Sequence, residues 1–344
     1  MSATGPSPTF IPSRLLTNCH VQTVLGTALR RALLLPGLRR QRIELADDDF
    51  VDVDIFGPES PGHGDRPWVL VLHGLEGSSR SSYVRGITAA LVAAGCEVCV
   101  VNYRGCSGEP NRLARAYHAG ETGDVLAVLE RLGAERPGRP VAAVGFSIGG
   151  NILMKLLGED PGRVPAGLVA AVAVSPPFDL ERCARHLDRR SRTAAVYRGQ
   201  LLRTLRSKAV AKLARFPRCV AATPKQLRTA RTFAQFDELY TAPVHGFENA
   251  RDYWHRSSGV RYLPAVRHPL LIVTSQDDPF FPRDYVPRDV VTANACLELV
   301  LTERGGHCGF VGGSLRSPNF WAEHTVLHYL ACLLYTSPSP RDRG

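Results

Sequence analysis

The chain has 344 residues, of which 44% are hydrophobic and 22% are charged, as in an ordinary globular protein with a large core. No run approaches the ~18 apolar residues of a membrane span, so we expect no membrane-spanning helix. The formal net charge is +10. A solvated basic face is the ordinary reason for such a charge, and binding to an anionic membrane surface or to nucleic acid is the alternative.

The cysteine content and the first residues bear on the compartment. The nine cysteines are scattered and odd in number, which favours reduced thiols in a cytosol. The beginning, MSATGPSPTF, lacks a basic region followed by an apolar core, so we expect no secretory signal. We therefore expect a cytoplasmic protein in which residues 1–40 form a lead segment before the folded core.

Short apolar runs alternate with segments of helix length along the chain. Most of these runs are almost uniformly apolar, which is typical of strands covered on both faces in a parallel sheet. The first two instead alternate apolar and polar residues, and we expect them to form an antiparallel hairpin with a turn at 47–49. This alternation predicts an open, mostly parallel sheet of eight strands flanked by helices. The predicted strands are 41–45, 50–56, 68–73, 97–102, 141–145, 168–174, 270–274 and 297–301, and the predicted helices are 83–94, 120–132, 148–157 and 319–331.

One region interrupts the alternation. Residues 178–262 contain no convincing strand, and residues 181–231 carry fifteen Lys or Arg but only two acidic residues. Leucines and valines recur there at helical spacing, which predicts a basic helical insertion that caps the sheet. The core would then consist of residues 41–177 and 263–331.

The last residues, 332–344, differ in character from the rest. Their sequence, CLLYTSPSPRDRG, can be back-translated to the transposase adapter used in sequencing libraries. The last predicted helix stops where this stretch begins. We therefore treat the tail as adapter read-through and exclude it from the prediction of the fold.

A small alcohol stands between two glycines in the stretch VGFSIGGN, where Ser147 follows a buried strand and precedes a helix. A strand that turns directly into a helix strains the backbone at the corner. Gly145 and Gly149 remove the Cβ atoms that would collide there. This G-x-S-x-G pattern is typical of a nucleophile elbow, in which the hydroxyl projects above the sheet. A simple tight turn is the alternative.

A serine nucleophile needs a base, and the base needs an acid that orients it. In enzymes that use this elbow, the acid and then the base follow the serine along the chain. Asp277 and Asp278 open the loop after the strand at 270–274, and His307 lies in a glycine-rich loop after the last strand. Functional side chains of parallel sheets gather at such carboxyl ends. We choose Asp278 as the acid, three positions after Ser275, with Asp277 as the alternative.

Attack on an ester carbonyl creates an oxyanion, which backbone amides must stabilise. The amide of Ile148 directly follows the nucleophile. We assign the second donor to the amide of Leu75 in the stretch HGLEG, where glycines let the backbone approach closely. His73 in that stretch should shape the loop and not act as a second base. No phosphate-binding, dinucleotide-binding or metal-binding pattern accompanies these residues, so we expect no cofactor and no metal.

Six motifs together resemble those of the α/β-hydrolase superfamily, and within it the YheT-like branch of abhydrolase-domain proteins. The resemblance runs from about residue 10 to residue 331, and the tail matches nothing in the family. It implies an α/β-hydrolase fold with a helical cap insertion. It also implies a serine hydrolase acting on carboxylic esters, with acylglycerol or phospholipid substrates for some members. The motifs are NCHVQT (18–23), HGLEGS (73–78), NYRGCSGEPN (102–111), GFSIGGN (145–151), DDPF (277–280) and GGHCGF (305–310).

Three functions are consistent with the sequence. The first is hydrolysis of short- or medium-chain acyl esters or acylglycerol-type lipids through Ser147, His307, Asp278 and an acyl-enzyme. The second is transfer of the same acyl group to an acceptor other than water. The third is a lipid-binding protein without catalysis, against which the complete set of three residues argues. For the basic insertion, a solvated face and peripheral contact with anionic membrane lipids are the two interpretations, whereas no nucleic-acid-binding module is recognised.

Overall fold

The computed structural model describes residues 9–13, 16–30, 35, 37–57 and 66–336. The predictions made for residues 1–8 and for 337–344 fall outside these ranges. The first residues of the predicted tail are described, and they form the end of the last helix, which continues through Thr336 and not only to 331.

An eight-stranded sheet with the order β1-β2-β4-β3-β5-β6-β7-β8 confirms the predicted fold class. Its first two strands form the expected antiparallel hairpin, the second pairs antiparallel with the fourth, and the remaining pairs are parallel. A small antiparallel pair near the C-terminus was not predicted. The described strands are β1 (Arg39–Glu44), β2 (Phe50–Phe56), β3 (Trp68–Leu72), β4 (Glu97–Asn102), β5 (Val141–Phe146), β6 (Leu168–Val174), β7 (Leu270–Ser275), β8 (Leu297–Thr302), β9 (Val311–Gly313) and β10 (Pro318–Phe320).

Helices cover both faces of the sheet. None of those described has both the length and the apolarity that crossing a membrane requires. The last helix begins at Trp321 and not at 319 as predicted, because the residues before it pair as β10. The described α-helices are α1 (Cys19–Leu29), α2 (Ser82–Ala93), α3 (Gly123–Glu135), α4 (Ile148–Glu159), α5 (Leu180–Asp188), α6 (Arg192–Arg215), α7 (Pro224–Thr229), α8 (Phe233–Phe236), α9 (Ala242–Val244), α10 (Ala250–Ser257), α11 (Arg288–Thr292) and α12 (Trp321–Thr336).

The sheet separates two apolar clusters, which explains why its central strands are apolar on both faces. Along β3, Leu70 and Leu72 point into a cluster with α3, α4 and the helices between β6 and β7. Val69 and Val71 point to the opposite face, into a cluster with α2 and α12. Successive side chains of a strand point to opposite faces, so burial on both sides requires an unbroken apolar run.

Residues 178–262, called here the helical insertion, form helices and turns without a strand, and all of them are described. The insertion contains α5 to α10 and a π-helical turn at Asp237–Thr241. It packs on the face that carries α4, where Asn151 bonds to the main chain of Ser257 and Gly259. The insertion therefore stands over the end of the sheet at which β5 passes into α4.

Candidate active site

Ser147 occupies a strained corner between β5 and α4. Its backbone has φ 53° and ψ −120°, a region that residues with a side chain rarely adopt. The corner is fixed on both sides, because the Ser147 amide donates to Val174 and its carbonyl accepts from Gly150 and Asn151. The backbone geometry is thus that expected of a nucleophile elbow.

The two glycines of the elbow are required by close backbone contacts. A Cβ atom on Gly145 would lie 2.3 Å from the carbonyl oxygen of Gly149. One on Gly149 would lie 2.6 Å from the carbonyl oxygen of Leu72 in the neighbouring strand. Neither position can hold a side chain unless the turn moves, so the spacing in the motif has a steric cause.

His307 and Asp278 are in direct contact. Nδ1 of His307 lies 2.8 Å from Oδ2 of Asp278, whose side chain is fully buried. The other oxygen of Asp278 accepts from the amide of Phe280 at 2.9 Å. Asp277, the alternative acid, instead accepts from the amide of Gly306 at 2.9 Å. Asp278, the chosen acid, thus contacts the imidazole of His307, whereas Asp277 bonds to the backbone of the loop that carries His307.

The environment of His307 changes its acidity. Burial lowers the pKa of His307, but the carboxylate of Asp278 and the sulfur of Cys308 outweigh this effect and raise the pKa well above its usual value. The ring also stacks on Phe280, with centroids 4.1 Å apart and planes 12° apart. These contacts fix both the orientation of the ring and the tautomer with Nδ1 protonated, which leaves Nε2 able to accept a proton.

Helix α1 holds the loop that carries His307, a role that the sequence analysis did not assign. Thr23 Oγ1 accepts from the amide of His307 at 2.9 Å. The buried side chain of Gln22 bonds to both the amide and the carbonyl of Val311, just beyond the loop. The motif NCHVQT could have indicated this role, because it is one of the motifs that resemble the family and the sequence analysis assigned it no function.

Two backbone amides are available where the oxyanion was predicted. In the loop after β3, the amide of Gly74 donates to Tyr83, that of Glu76 to Tyr117 and that of Gly77 to a carbonyl. Within the described chain, the amides of Leu75 and Ile148 make no hydrogen bond. In this part of the described structure, the N–H groups of Leu75 and Ile148 therefore carry no internal hydrogen-bond partner.

A cavity of about 350 Å³ is lined by four of the five predicted site residues, and the fifth, Asp278, lies behind His307. Ser147, His307, Leu75 and Ile148 line it. In the described structure the side-chain hydrogen bond of His307 goes to Asp278, and none joins the ring to the Ser147 hydroxyl. The helical insertion supplies most of the apolar wall. Its apolar side chains there include Leu180, Ala184, Leu187, Leu201, Phe233 and Phe236.

His73 lies behind the site, fully buried. Its Nδ1 donates to the carbonyl of Gly74 and its Nε2 accepts from the amide of Tyr103. Burial lowers its pKa to about 4, so it is neutral near pH 7. Such bonds shape the loop, as the sequence suggested. In the residues that the structure describes, no group of three or more His, Cys, Asp or Glu could hold a metal ion.

Comparison with known proteins places this geometry in a family. The family model of the alpha/beta hydrolase fold matches residues 67–314. The chain is 40% identical to the Escherichia coli protein YheT, provisionally named an esterase, over 95% of this chain and 94% of that one. It is 31% identical to a monoacylglycerol lipase of Saccharomyces cerevisiae, over 80% of this chain and 62% of that one.

A solved structure shares the fold. An esterase of Pyrococcus furiosus superposes with a TM-score of 0.51 at 17% identity, covering 88% of this chain and 91% of the other. The expected resemblance to the YheT-like branch is confirmed by the identity to YheT itself. The chain belongs to the alpha/beta hydrolase fold family, among relatives that carry the names of esterases and lipases.

Proposed function

We propose that the protein hydrolyses carboxylic esters with Ser147 as nucleophile, His307 as base and Asp278 as the acid that orients the base. The observation that carries this proposal is the 2.8 Å contact between His307 Nδ1 and Asp278 beside a cavity that Ser147 also lines. The strained backbone of Ser147 supports it independently. Esterase and lipase names among the relatives agree with the same chemistry.

The proposed reaction assigns one task to each group. His307 Nε2 takes the proton of Ser147 as the hydroxyl oxygen attacks the ester carbonyl, and Asp278 stabilises the resulting imidazolium. The amides of Leu75 and Ile148 donate to the oxyanion. The alcohol leaves with the proton from His307, and a water deprotonated by His307 then releases the acid from the acyl-enzyme. Catalytic contacts are often long before substrate binds, so the bond between Ser147 and His307 is expected to form with the substrate.

The cavity suggests the substrate. Its wall from the helical insertion is mainly apolar, which favours a short or medium acyl chain beside Ser147. A relative named monoacylglycerol lipase supports acylglycerol-type lipids as one class of ester. The side chains and amides named above supply every step, so the proposal requires no cofactor.

The proposal is tested by replacing Ser147 with Ala. Hydrolysis of p-nitrophenyl butyrate should fall by at least about 10³-fold, because the acyl-enzyme cannot form. Ser207→Ala, at an exposed position of α6, is the matched control and should retain full turnover. Circular dichroism spectra should coincide for all three proteins. Undiminished turnover in Ser147→Ala would rule the assignment out.

Labelling with a fluorophosphonate probe gives a second readout. The label should map to Ser147 in the unsubstituted protein and be absent from Ser147→Ala. Absence of both labelling and turnover would favour a lipid-binding protein without catalysis. Where turnover is found, product analysis with a competing alcohol separates hydrolysis from acyl transfer, which would use the same acyl-enzyme.

A further inference from the structure

A second cavity, of about 380 Å³, adjoins the first on the side of α6. Its wall is formed by α6, by the loop that follows β4 and by the π-helical turn of the insertion. Tyr117, Leu205, Phe236 and Thr241 line both cavities. A ligand held at Ser147 could therefore extend past these shared residues into the second cavity.

One face of α6 lines this cavity with cations. Lys208 is paired with Glu76 at 3.1 Å. Lys212 and Arg215 instead donate to main-chain carbonyl oxygens, and within the described residues neither forms an ion pair with a carboxylate. Burial lowers the pKa of Lys212, an effect that the nearby Asp49 opposes only in part. The two side chains thus bring positive charge to the wall of the cavity, and no carboxylate among the described residues forms an ion pair with it.

The remaining charged groups of the wall are already paired. Arg104 donates to Asp124 at 2.7 Å and also pairs with two further aspartates. Glu109 accepts from Arg42 at 2.7 Å. Glu109 is therefore not available to neutralise Lys212 and Arg215, and the positive charge of Arg104 is itself already balanced by aspartates.

A buried hydroxyl in the same wall also lacks a partner. Tyr240 is 5% exposed, and in the described structure its Oη makes no hydrogen bond. Buried polar atoms are nearly always bonded, so the unbonded hydroxyl of Tyr240 beside the cavity points to a missing acceptor. An anion would accept from Tyr240 and at the same time neutralise the two cations.

We propose that the second cavity binds an oxyanion, a phosphate or a carboxylate, that is carried on the ester substrate. The proposal rests on the proposed function, since the ester group would lie at Ser147 while the anionic group reaches Lys212, Arg215 and the hydroxyl of Tyr240. The substrate class is then an amphiphilic ester with an acidic head group. Arginine and lysine side chains are the usual partners of such groups.

Direct binding tests the anion site without any turnover. Isothermal titration calorimetry compares decyl phosphate, decanoate, decanol and inorganic phosphate on the unsubstituted protein. At least one of the two acidic amphiphiles should bind roughly tenfold or more tightly than decanol, as expected for charge-assisted hydrogen bonds. The tighter of the two identifies the head group. Equal affinities for the acidic amphiphiles and decanol, or equal affinities for inorganic phosphate and decyl phosphate, would overturn the proposal.

Variants distinguish binding in the second cavity from a general effect of the positive charge of the protein. Lys212→Gln with Arg215→Gln keeps N–H donors for the carbonyls and should lower the affinity for the acidic amphiphile by roughly tenfold. Tyr240→Phe, which removes only the hydroxyl, should lower the same affinity and guards against a folding defect in the double variant. Arg218→Gln with Lys225→Gln removes two exposed charges of the insertion outside the cavity. An equal loss in this control, or no loss in the first two proteins, would contradict the site.

Turnover then links the site to the ester. The pair 1-decanoylglycerol and 1-decanoylglycerol 3-phosphate differs only in the acidic group. The ratio of their kcat/KM values should favour the phosphate and fall roughly tenfold in Lys212→Gln with Arg215→Gln, but not in the control. A constant ratio despite the binding loss would show that the site does not serve the substrate. Absence of any turnover, with binding intact, would count against the proposed function alone.

Discussion

The ring of His307 shows how opposing effects at one residue are resolved. Burial alone would favour the neutral ring, whereas the adjacent Asp278 favours the charged one and prevails. The neighbouring Asp277 lies one position earlier in the chain, yet its carboxylate bonds to the Gly306 amide and not to the ring. The direction of one side chain in this loop therefore decides which carboxylate sets the acidity of the base.

Asp278→Asn should change the pH dependence of turnover. The base acts in its neutral form, so kcat/KM should rise with pH through the raised pKa of His307, above about 6.5. The variant removes the charge that raises this pKa but keeps the burial that lowers it. The midpoint should then move to lower pH, and kcat should fall by roughly 10²–10⁴. The measurement is a pH–rate profile with p-nitrophenyl butyrate.

Asp277→Asn is the matched control for this profile. An asparagine at that position keeps an oxygen for the amide of Gly306, and the carboxylate it replaces does not bond to the ring. Its midpoint should stay near that of the unsubstituted protein. A larger shift in Asp277→Asn than in Asp278→Asn would reverse the assignment of the acid.

At the scale of elements, the site depends on the turn from β5 to α4, in which the positions two residues before and after Ser147 must be glycine. Gly145→Ala would place a Cβ atom 2.3 Å from the carbonyl oxygen of Gly149, which requires the turn to move. The free energy of unfolding should fall by about 1–3 kcal/mol, as for other overpacked sites. Urea-induced unfolding followed by circular dichroism measures the change, and hydrolysis should fall with it.

Gly199→Ala provides the comparison for the turn. Gly199 lies within α6, and apart from its chain neighbours and the backbone of its own helix, no described atom lies within 4 Å of the position of an added Cβ. Alanine restricts the unfolded chain more than glycine does, so this variant should be more stable by about 0.5–1 kcal/mol. Equal stability of Gly145→Ala and Gly199→Ala would show that the crowding at the turn is relieved without cost.

Local patterns predicted the strands and the turn at Ser147, because the features that define a buried strand and a strand-to-helix turn lie in neighbouring residues of the sequence. β2, β4 and β6 have the predicted bounds, and every other strand of the main sheet lies within two residues of its prediction. The bond between Thr23 and His307 joins residues 284 positions apart. The motif NCHVQT marked residues 18–23, but no local pattern could show which distant loop they contact, and the second cavity also depends on distant residues.

At the scale of the whole molecule, basic residues are concentrated in one part of the chain. Residues 181–231 carry fifteen of the 42 basic residues of the chain. Arg192, Val196 and Arg203 are exposed at helical spacing along one face of α6, and Val196 is 68% exposed. An exposed apolar side chain flanked by cations suits the surface of an anionic membrane better than it suits water. This face lies on the same helix that walls the candidate active site.

We expect the protein to co-sediment with vesicles that contain phosphatidylserine and not with vesicles of phosphatidylcholine alone. Binding should weaken as salt rises from 0.05 to 0.5 M, because screening shortens the reach of surface charges. Arg192→Glu with Arg203→Glu should reduce the bound fraction by about tenfold or more, since each basic residue near such a surface contributes about 1 kcal/mol. Arg163→Glu with Arg267→Glu makes the same change in net charge at exposed positions outside the insertion. Equal losses in the two double variants would assign the effect to net charge, and the face of α6 would then have no special part in it.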